Sequence, residues 1–396
     1  MPRASLWHLS LHQGLLSLQA QAAWLLVPLW GAQIGWGLQE TGLVLAAQAT
    51  GTAVGSVLAG LCAARWGAAR MVRWSSWLVA AFSLALLVPQ AGLFYWAALR
   101  ALAGVATGLS RGLVPMVAVR GEDSPRRSLS LSTAGYVAGQ AAGLPLALVV
   151  GAAISPAFVL GGLGGLLLVS TAVLRLAKDA PPAAVQKIRA LWQALGQEVR
   201  TPATLGTASL YAVSFAIGGA LLAYLPVWWT EEKVRSSGQL AVWLCIAGVV
   251  QAGVLILLSQ LQVQRSVVRR IGGWMCASGL VCLTGPLWWQ LSPMSAGVWV
   301  LLMLVTRAGR IPAIQESLFA RGSDASQAVR LSLCYGVAEL GRAMGASAAG
   351  WIYPQGGFAG VALASGLLAA LALLALPWLS HSQEVGWQNK GTPASE

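Results

Sequence analysis

Apolar residues in this chain come in long runs, and short polar or basic stretches separate the runs. About 20 consecutive apolar residues are enough for a helix to cross the hydrocarbon core of a bilayer. Counting between the breaks predicts twelve such helices. Six fall at 14–36, 42–63, 71–90, 93–118, 129–152 and 155–177, and six more at 204–229, 239–260, 269–290, 297–319, 331–353 and 357–379. The pattern predicts an all-α polytopic membrane protein with a six-helix bundle over 1–177 and a linker over 178–203. A second six-helix bundle follows over 204–380, then a tail over 381–396.

The two bundles repeat one plan. Arg120, Gly121 and Asp123 fall on Arg321, Gly322 and Asp324. After a gap of one residue, Leu129-Ser130-Leu131 falls on Leu331-Ser332-Leu333, and Gly139 and Gly143 fall on Gly341 and Gly345. In each copy a charged turn leads into an apolar helix carrying a glycine ladder. Internal repetition of this size marks a duplicated membrane protein.

Composition strengthens that reading. Only 9% of residues are charged and 57% are hydrophobic, against about 25% charged in soluble domains. The net charge of +13 follows from topology, so a nucleic-acid partner is not expected. With the N-terminus in the cytoplasm, eighteen of the 25 Lys and Arg fall on the cytoplasmic side. Among them are Arg65, Arg70, Arg73, Arg126, Arg127, Arg269, Arg270 and Arg330. Only Lys233 and Arg235 fall outside, and the other five basic residues lie within spans. Positive residues stay on the cytoplasmic side, so both termini are expected there.

A cleaved leader is not expected, because Met1 to Gln13 is short and polar and the first apolar segment is too long for a leader core. Few Lys relative to Arg, with abundant Ala, Gly and Trp, point to a prokaryotic inner membrane. Trp30, Trp36, Trp228, Trp229, Trp288, Trp289 and Trp351 gather at predicted outer ends, as in an aromatic belt. In the linker Val185, Ile188, Leu191, Trp192, Leu195 and Val199 recur at helical spacing. They form a short amphipathic helix that lies on the inner leaflet or packs on the protein's own cytoplasmic face.

Several local motifs agree with one family. Gly60 to Arg70 reads G-L-C-A-A-R-W-G-A-A-R, similar to the loop motif G-x-x-x-D-R-x-G-R-R. Gly60, Arg65, Gly67 and Arg70 match, and Ala64 stands at the acidic position. Arg100, Gly104 and Gly108 follow R-x-x-x-G-x-x-x-G. Gly135, Gly139 and Gly143 resemble the antiporter motif G-x-x-x-G-P-x-x-G, with Gln140 where the motif has proline. With twelve spans in two halves, the chain resembles the major facilitator superfamily, in motif layout its drug and solute antiporters. That resemblance implies two bundles rocking about a midplane site, with spans one, four, seven and ten facing the cavity. It also implies that the glycines and the Arg65–Arg70 turn shape gating.

Charges inside the bilayer carry the functional signal, since each costs a few kcal/mol unless paired or facing water. They are Arg100 and Arg111 in span four, Arg307 and Arg310 in span ten, and Glu339 and Arg342 in span eleven. Glu316 lies near the inner end of span ten. Two readings compete: Glu339 and Arg342 pair at i, i+3 and the rest bond carbonyls or water, or arginines of both halves line an aqueous cavity. Five arginines against two carboxylates leave a surplus of three positive charges, which favours the second reading. Guanidinium forks hold carboxylate or phosphate through two bonds.

The site expected is therefore Arg100, Arg111, Arg307, Arg310 and Arg342 for an anionic or amphiphilic organic solute, exported by alternating access. Gln140 is expected to bond the solute, although Gln19, Gln21, Gln33, Gln48, Gln140 and Gln251 serve equally as glue between helices. Glu339 is the mid-membrane carboxylate available for a coupling proton. The alternatives are a proton-coupled multidrug exporter and a non-transporting receptor or assembly factor on the same fold. The five cysteines read as packing residues, and His8, His12 and His381 are placed outside the membrane. With no catalytic cluster, phosphate loop or metal-ligand spacing in the sequence, neither an enzyme nor a cofactor is expected. Solute, lipid and a coupling proton are the partners of a monomer.

Overall fold

The computed structural model describes residues 3–36, 38–88, 92–119, 125–174, 199–229, 236–260, 266–319 and 324–377, with 193, 196 and 197 besides. Val185, Ile188, Leu191, Trp192 and Leu195 of the expected linker helix, the turns 120–124 and 321–323, Lys233, Arg235 and the tail with His381 lie outside these residues.

Helices account for nearly everything described, because a chain this apolar has to satisfy its backbone within each segment. The first half holds α1 (Arg3–Gln33), α2 (Leu38–Trp66), α3 (Ala68–Ala85), α4 (Leu93–Val119), α5 (Pro125–Ala153) and α6 (Pro156–Val173). The second holds α7 (Pro202–Val227), α8 (Ser237–Gln260), α9 (Val267–Leu291), α10 (Pro293–Phe319) and α11 (Asp324–Ala372). α11 is two helices joined at Gly357, whose φ of 57° and ψ of −164° turn the chain out of the helix. Among the described residues this gives twelve long helical segments. Eight of the elements are long and apolar enough to span a membrane by composition alone. The exceptions are α1, α3 and α5, which carry most of the buried Gln, Ser and Thr of the first half.

Gly67 divides α2 from α3. Its φ of 87° lies in the region that costs any residue with a Cβ. Its N–H still donates to the Ala63 carbonyl at 2.8 Å, so the Arg65–Arg70 motif is a tight turn. Arg65 and Arg70 are exposed on it, and the Arg65 guanidinium lies 5.5 Å over the Trp66 ring.

The glycine ladders place backbone against backbone. A Cβ on Gly139 would run into the Gly14 carbonyl oxygen of α1, and one on Gly135 into that of Ser10. In the other bundle Gly341 and Gly345 meet the Ala212 and Ala216 carbonyls of α7 in the same way. The repeat in sequence is thus a repeat of one helix contact, α1 on α5 and α7 on α11. Gly104 and Gly108 of α4 press similarly on Gln48 and Thr52 of α2. The bundles themselves meet where α5 touches α8 and α2 touches α11.

Three expectations change. α1 starts at Arg3, before the predicted 14, because its polar residues find partners inside the bundle. His12 is fully buried there, bonded to Ser170 at 3.0 Å and Ser76 at 2.8 Å, so it joins α1 to α6 and α3 and does not lie in solvent. Of the tryptophans expected in a belt, Trp351 is exposed, but Trp228, Trp229 and Trp289 are buried with Trp299 and Phe358 in one aromatic cluster. Aromatic faces and edges attract each other, which outweighs a place at the headgroups. The cysteines form no disulfide: Cys282 and Cys334 are buried, Cys245 and Cys276 exposed.

Candidate functional site

Helical spacing brings three polar residues of α11 to one face: Tyr335, Glu339 and Arg342, four and three residues apart. Opposite them α4 presents Arg111. Its Nη1 donates to Glu339 Oε1 at 2.7 Å, while Arg342 Nε lies 3.5 Å from Glu339 Oε2. The carboxylate is 3% exposed and its partners 7% and 8%. The pairing expected at i, i+3 is therefore the longer of two contacts, and the shorter one joins the two bundles. An ion pair this deep costs much to desolvate and holds only while both members stay matched.

Arg307 enters from α10 along the bare face of Gly218, whose added Cβ would lie 3.3 Å from Arg307 Nε. It is 7% exposed and makes no hydrogen bond among the described residues. Tyr136 of α5 lies within electrostatic reach of Arg111, Arg342, Arg307 and Glu339. Its ring sits 5.3 Å below the Arg111 guanidinium, and its hydroxyl accepts from Gln140 at 2.7 Å. Arg342 caps the Phe215 ring at 5.1 Å. Three guanidinium groups thus face one carboxylate, with aromatic rings beneath two of them.

Beside this cluster the bond from Thr133 of α5 to Gln315 of α10 links the two bundles, and further bonds tie helices within each bundle. Thr133 donates to Gln315 at 3.2 Å and Gln315 to the Tyr335 hydroxyl at 2.6 Å, while Ser132 donates to Gln13. A small cavity borders the Arg111 end of this cluster, walled by Pro115, Leu129, Tyr136, Phe215, Ile311 and Tyr335.

Arg100 and Arg310 are not part of the cluster, although both are 1% exposed. Arg100 donates to Gln48 at 3.2 Å and leaves Nη1 without a partner. Arg310 has the Met275 sulfur 3.9 Å from Nη1 and nothing on Nε. Gln19 bonds Ser83, Gln48 takes Arg100, and the side chain of Gln33 lies outside the described residues. Glu316 pairs with Arg270 at 2.8 Å at the half-exposed end of α10, which corrects its count among the cavity charges. The surplus over the five in-span arginines rises from three to four. Because that pair is screened, Glu316→Gln should change stability by no more than about 0.5 kcal/mol, read as melting temperature in detergent.

Tyr136, Phe215, Gln315 and Tyr335 were missed from the sequence. Spacing held the signal: Tyr136 is four residues before Gln140, Tyr335 four before Glu339, and Arg307, Ile311 and Gln315 are four apart. Polar and aromatic residues one turn from an in-span charge share its face. Among the described residues no group of His, Cys, Asp and Glu is placed to hold a metal.

The family model described as Major Facilitator Superfamily matches residues 9–315. Among solved structures, a proton:xylose symporter, XylE, bound to 6-bromo-6-deoxy-D-glucose is similar at 14% identity with a TM-score of 0.74, covering 94% of this chain and 95% of that one. The human organic anion transporter MFSD10 (TETRAN) is similar at 15% identity with a TM-score of 0.75, covering 95% and 100%. A search of the curated proteins found no match.

Proposed function

Since the chain belongs to the major facilitator superfamily, we propose that the secondary transporter it forms carries an amphiphilic organic anion through the Arg111–Arg307–Arg342 site. The observation that carries the reading is Arg307. A guanidinium in the middle of a membrane protein with no hydrogen bond among the described residues is an interaction waiting for a partner. Arg suits an acid group because its fork offers two parallel donors. Pro115, Leu129, Phe215 and Ile311 line the cavity beside Arg111, which suits an apolar or aromatic body.

Two bundles, 1–177 and 204–380, rock about this site and expose it to each side in turn. Export is the direction favoured by the antiporter-like ladder Gly135, Gly139 and Gly143. The bias of Lys and Arg to one set of loops supports a cytoplasmic position for both termini, and the composition suits a prokaryotic inner membrane. The two structural relatives carry unlike solutes and share only the fold at these identities, so substrate class rests on the charges of the site. The same charges weigh against export of lipophilic cations, because Glu339 already serves two arginines.

A ligand-stability screen on the purified protein tests this. A ligand that binds only the folded state raises its stability by mass action. Aromatic carboxylates should raise the melting temperature of the wild type and leave Arg307→Ala unmoved, with affinity reduced about tenfold or more, a normal loss for a charge-assisted bond. Stabilisation by lipophilic cations alone would replace this reading with the multidrug one.

A further inference from the structure

We propose that Glu339 is a built-in stand-in for the substrate's acid group: it fills the anion position on Arg111 when the site is empty and is displaced when substrate binds. The inference rests on the anionic reading above and adds what the carboxylate does. Three observations point to it.

Glu339 is held as a bound carboxylate would be. Oε1 is 2.7 Å from Arg111 Nη1, Oε2 is 3.5 Å from Arg342 Nε, and the group is buried beside the Tyr136 ring system. The contact also crosses between bundles, since Arg111 is on α4 and Glu339 on α11. It is therefore both an occupied anion site and a strut. Finally, Arg307 is within electrostatic reach of both Glu339 and Arg111 and makes no hydrogen bond among the described residues, so an incoming acid finds a second guanidinium fork beside the pair.

Displacement strands no charge. A substrate carboxylate on Arg111 and Arg307 leaves Glu339 with Arg342, its neighbour one turn on along α11. The surplus of positive charge in the cluster falls from two to one, as three arginines then face two carboxylates. The ionic strut between bundles is gone, leaving the Thr133–Gln315 bond to hold that side. Acid binding thereby loosens the closed state, and a neutral analogue of the same shape does not.

The test uses the full chain in detergent with 2-naphthoate as probe and its uncharged amide as control. Spin labels on Arg73→Cys and Arg269→Cys, exposed in α3 and α9, report bundle separation in a background with the five native cysteines replaced. Glu339→Gln keeps the shape and removes the charge. It should bind 2-naphthoate about tenfold more tightly, the size of an ordinary coupling between competing groups, and its labels should move apart without ligand. The wild-type labels should part only with 2-naphthoate, and the amide should do neither. If the glutamine variant is not folded, Glu339→Asp reads the same contrast, smaller but in the same direction.

Unchanged or weaker binding by Glu339→Gln, with affinity still lost in Arg307→Ala, would leave the anion site standing and overturn the stand-in. Labels that part in the variant while no carboxylate binds any form would make Glu339 a strut only, and would overturn both readings.

Discussion

Gly139→Leu should yield no folded protein, whereas Gly162→Leu, a glycine of the same bundle, should be indistinguishable from wild type. A Cβ on Gly139 collides with the Gly14 carbonyl oxygen and carbon of α1. Backbone cannot swing aside as a flexible side chain does, so α1 and α5 have to separate along the whole ladder that also includes Gly135. The cost exceeds about 4 kcal/mol, the range reached only by severe core disruption, and folded domains hold about 5–15 kcal/mol in all. Nothing lies within 4 Å of a Cβ on Gly162, so leucine there only meets lipid. Gly341→Leu should fail like Gly139→Leu, because the Ala212 carbonyl takes the place of Gly14. Size-exclusion profiles and melting curves in detergent decide it. A Gly139→Leu protein that melts like wild type but does not transport would mean that the ladder serves motion and not packing.

That contrast shows where sequence was legible. Run length and period located the apolar helices, since a membrane leaves the backbone no other way to satisfy itself, but not the polar start of α1, which begins at Arg3 and not at 14. Duplication was visible because Gly139 and Gly341 answer to the same steric demand in two places. What the sequence did not hold was partnership across helices. Glu339 stands three residues from Arg342, yet its closer partner, Arg111, is 228 residues away. Glu316 looked like a cavity charge and instead reaches out to Arg270 at the start of α9. Arg307 and Arg310 are three apart, yet one meets the cluster and the other meets Met275. Periodicity tells which residues share a face; it does not tell which helix that face meets. His12 failed for the same reason: a polar residue near a terminus reads as solvated until Ser76 and Ser170 are found around it.

Arg310→Met should raise stability by about 1–4 kcal/mol, the gain seen when buried charges give way to apolar groups of similar size. Arg310 is 1% exposed. Its described partner is a methionine sulfur at 3.9 Å, a weak acceptor, and its Nε has none. A charge kept so poorly satisfied costs the folded state what an apolar side chain does not. Met follows the same path, is flexible enough to fill the space, and packs on Met275 in place of the guanidinium. The same substitution should weaken 2-naphthoate binding only a few-fold, because Arg310 acts on the site through the field it adds beside Arg307. Melting temperature and probe titration on one preparation measure both effects. A destabilised Arg310→Met would mean that the guanidinium is a structural tie with partners of its own, and the surplus charge would then no longer favour an anion. Stability gained while affinity falls is the opposite sign pair, and it is the one expected where a charge is kept for function at the expense of the fold.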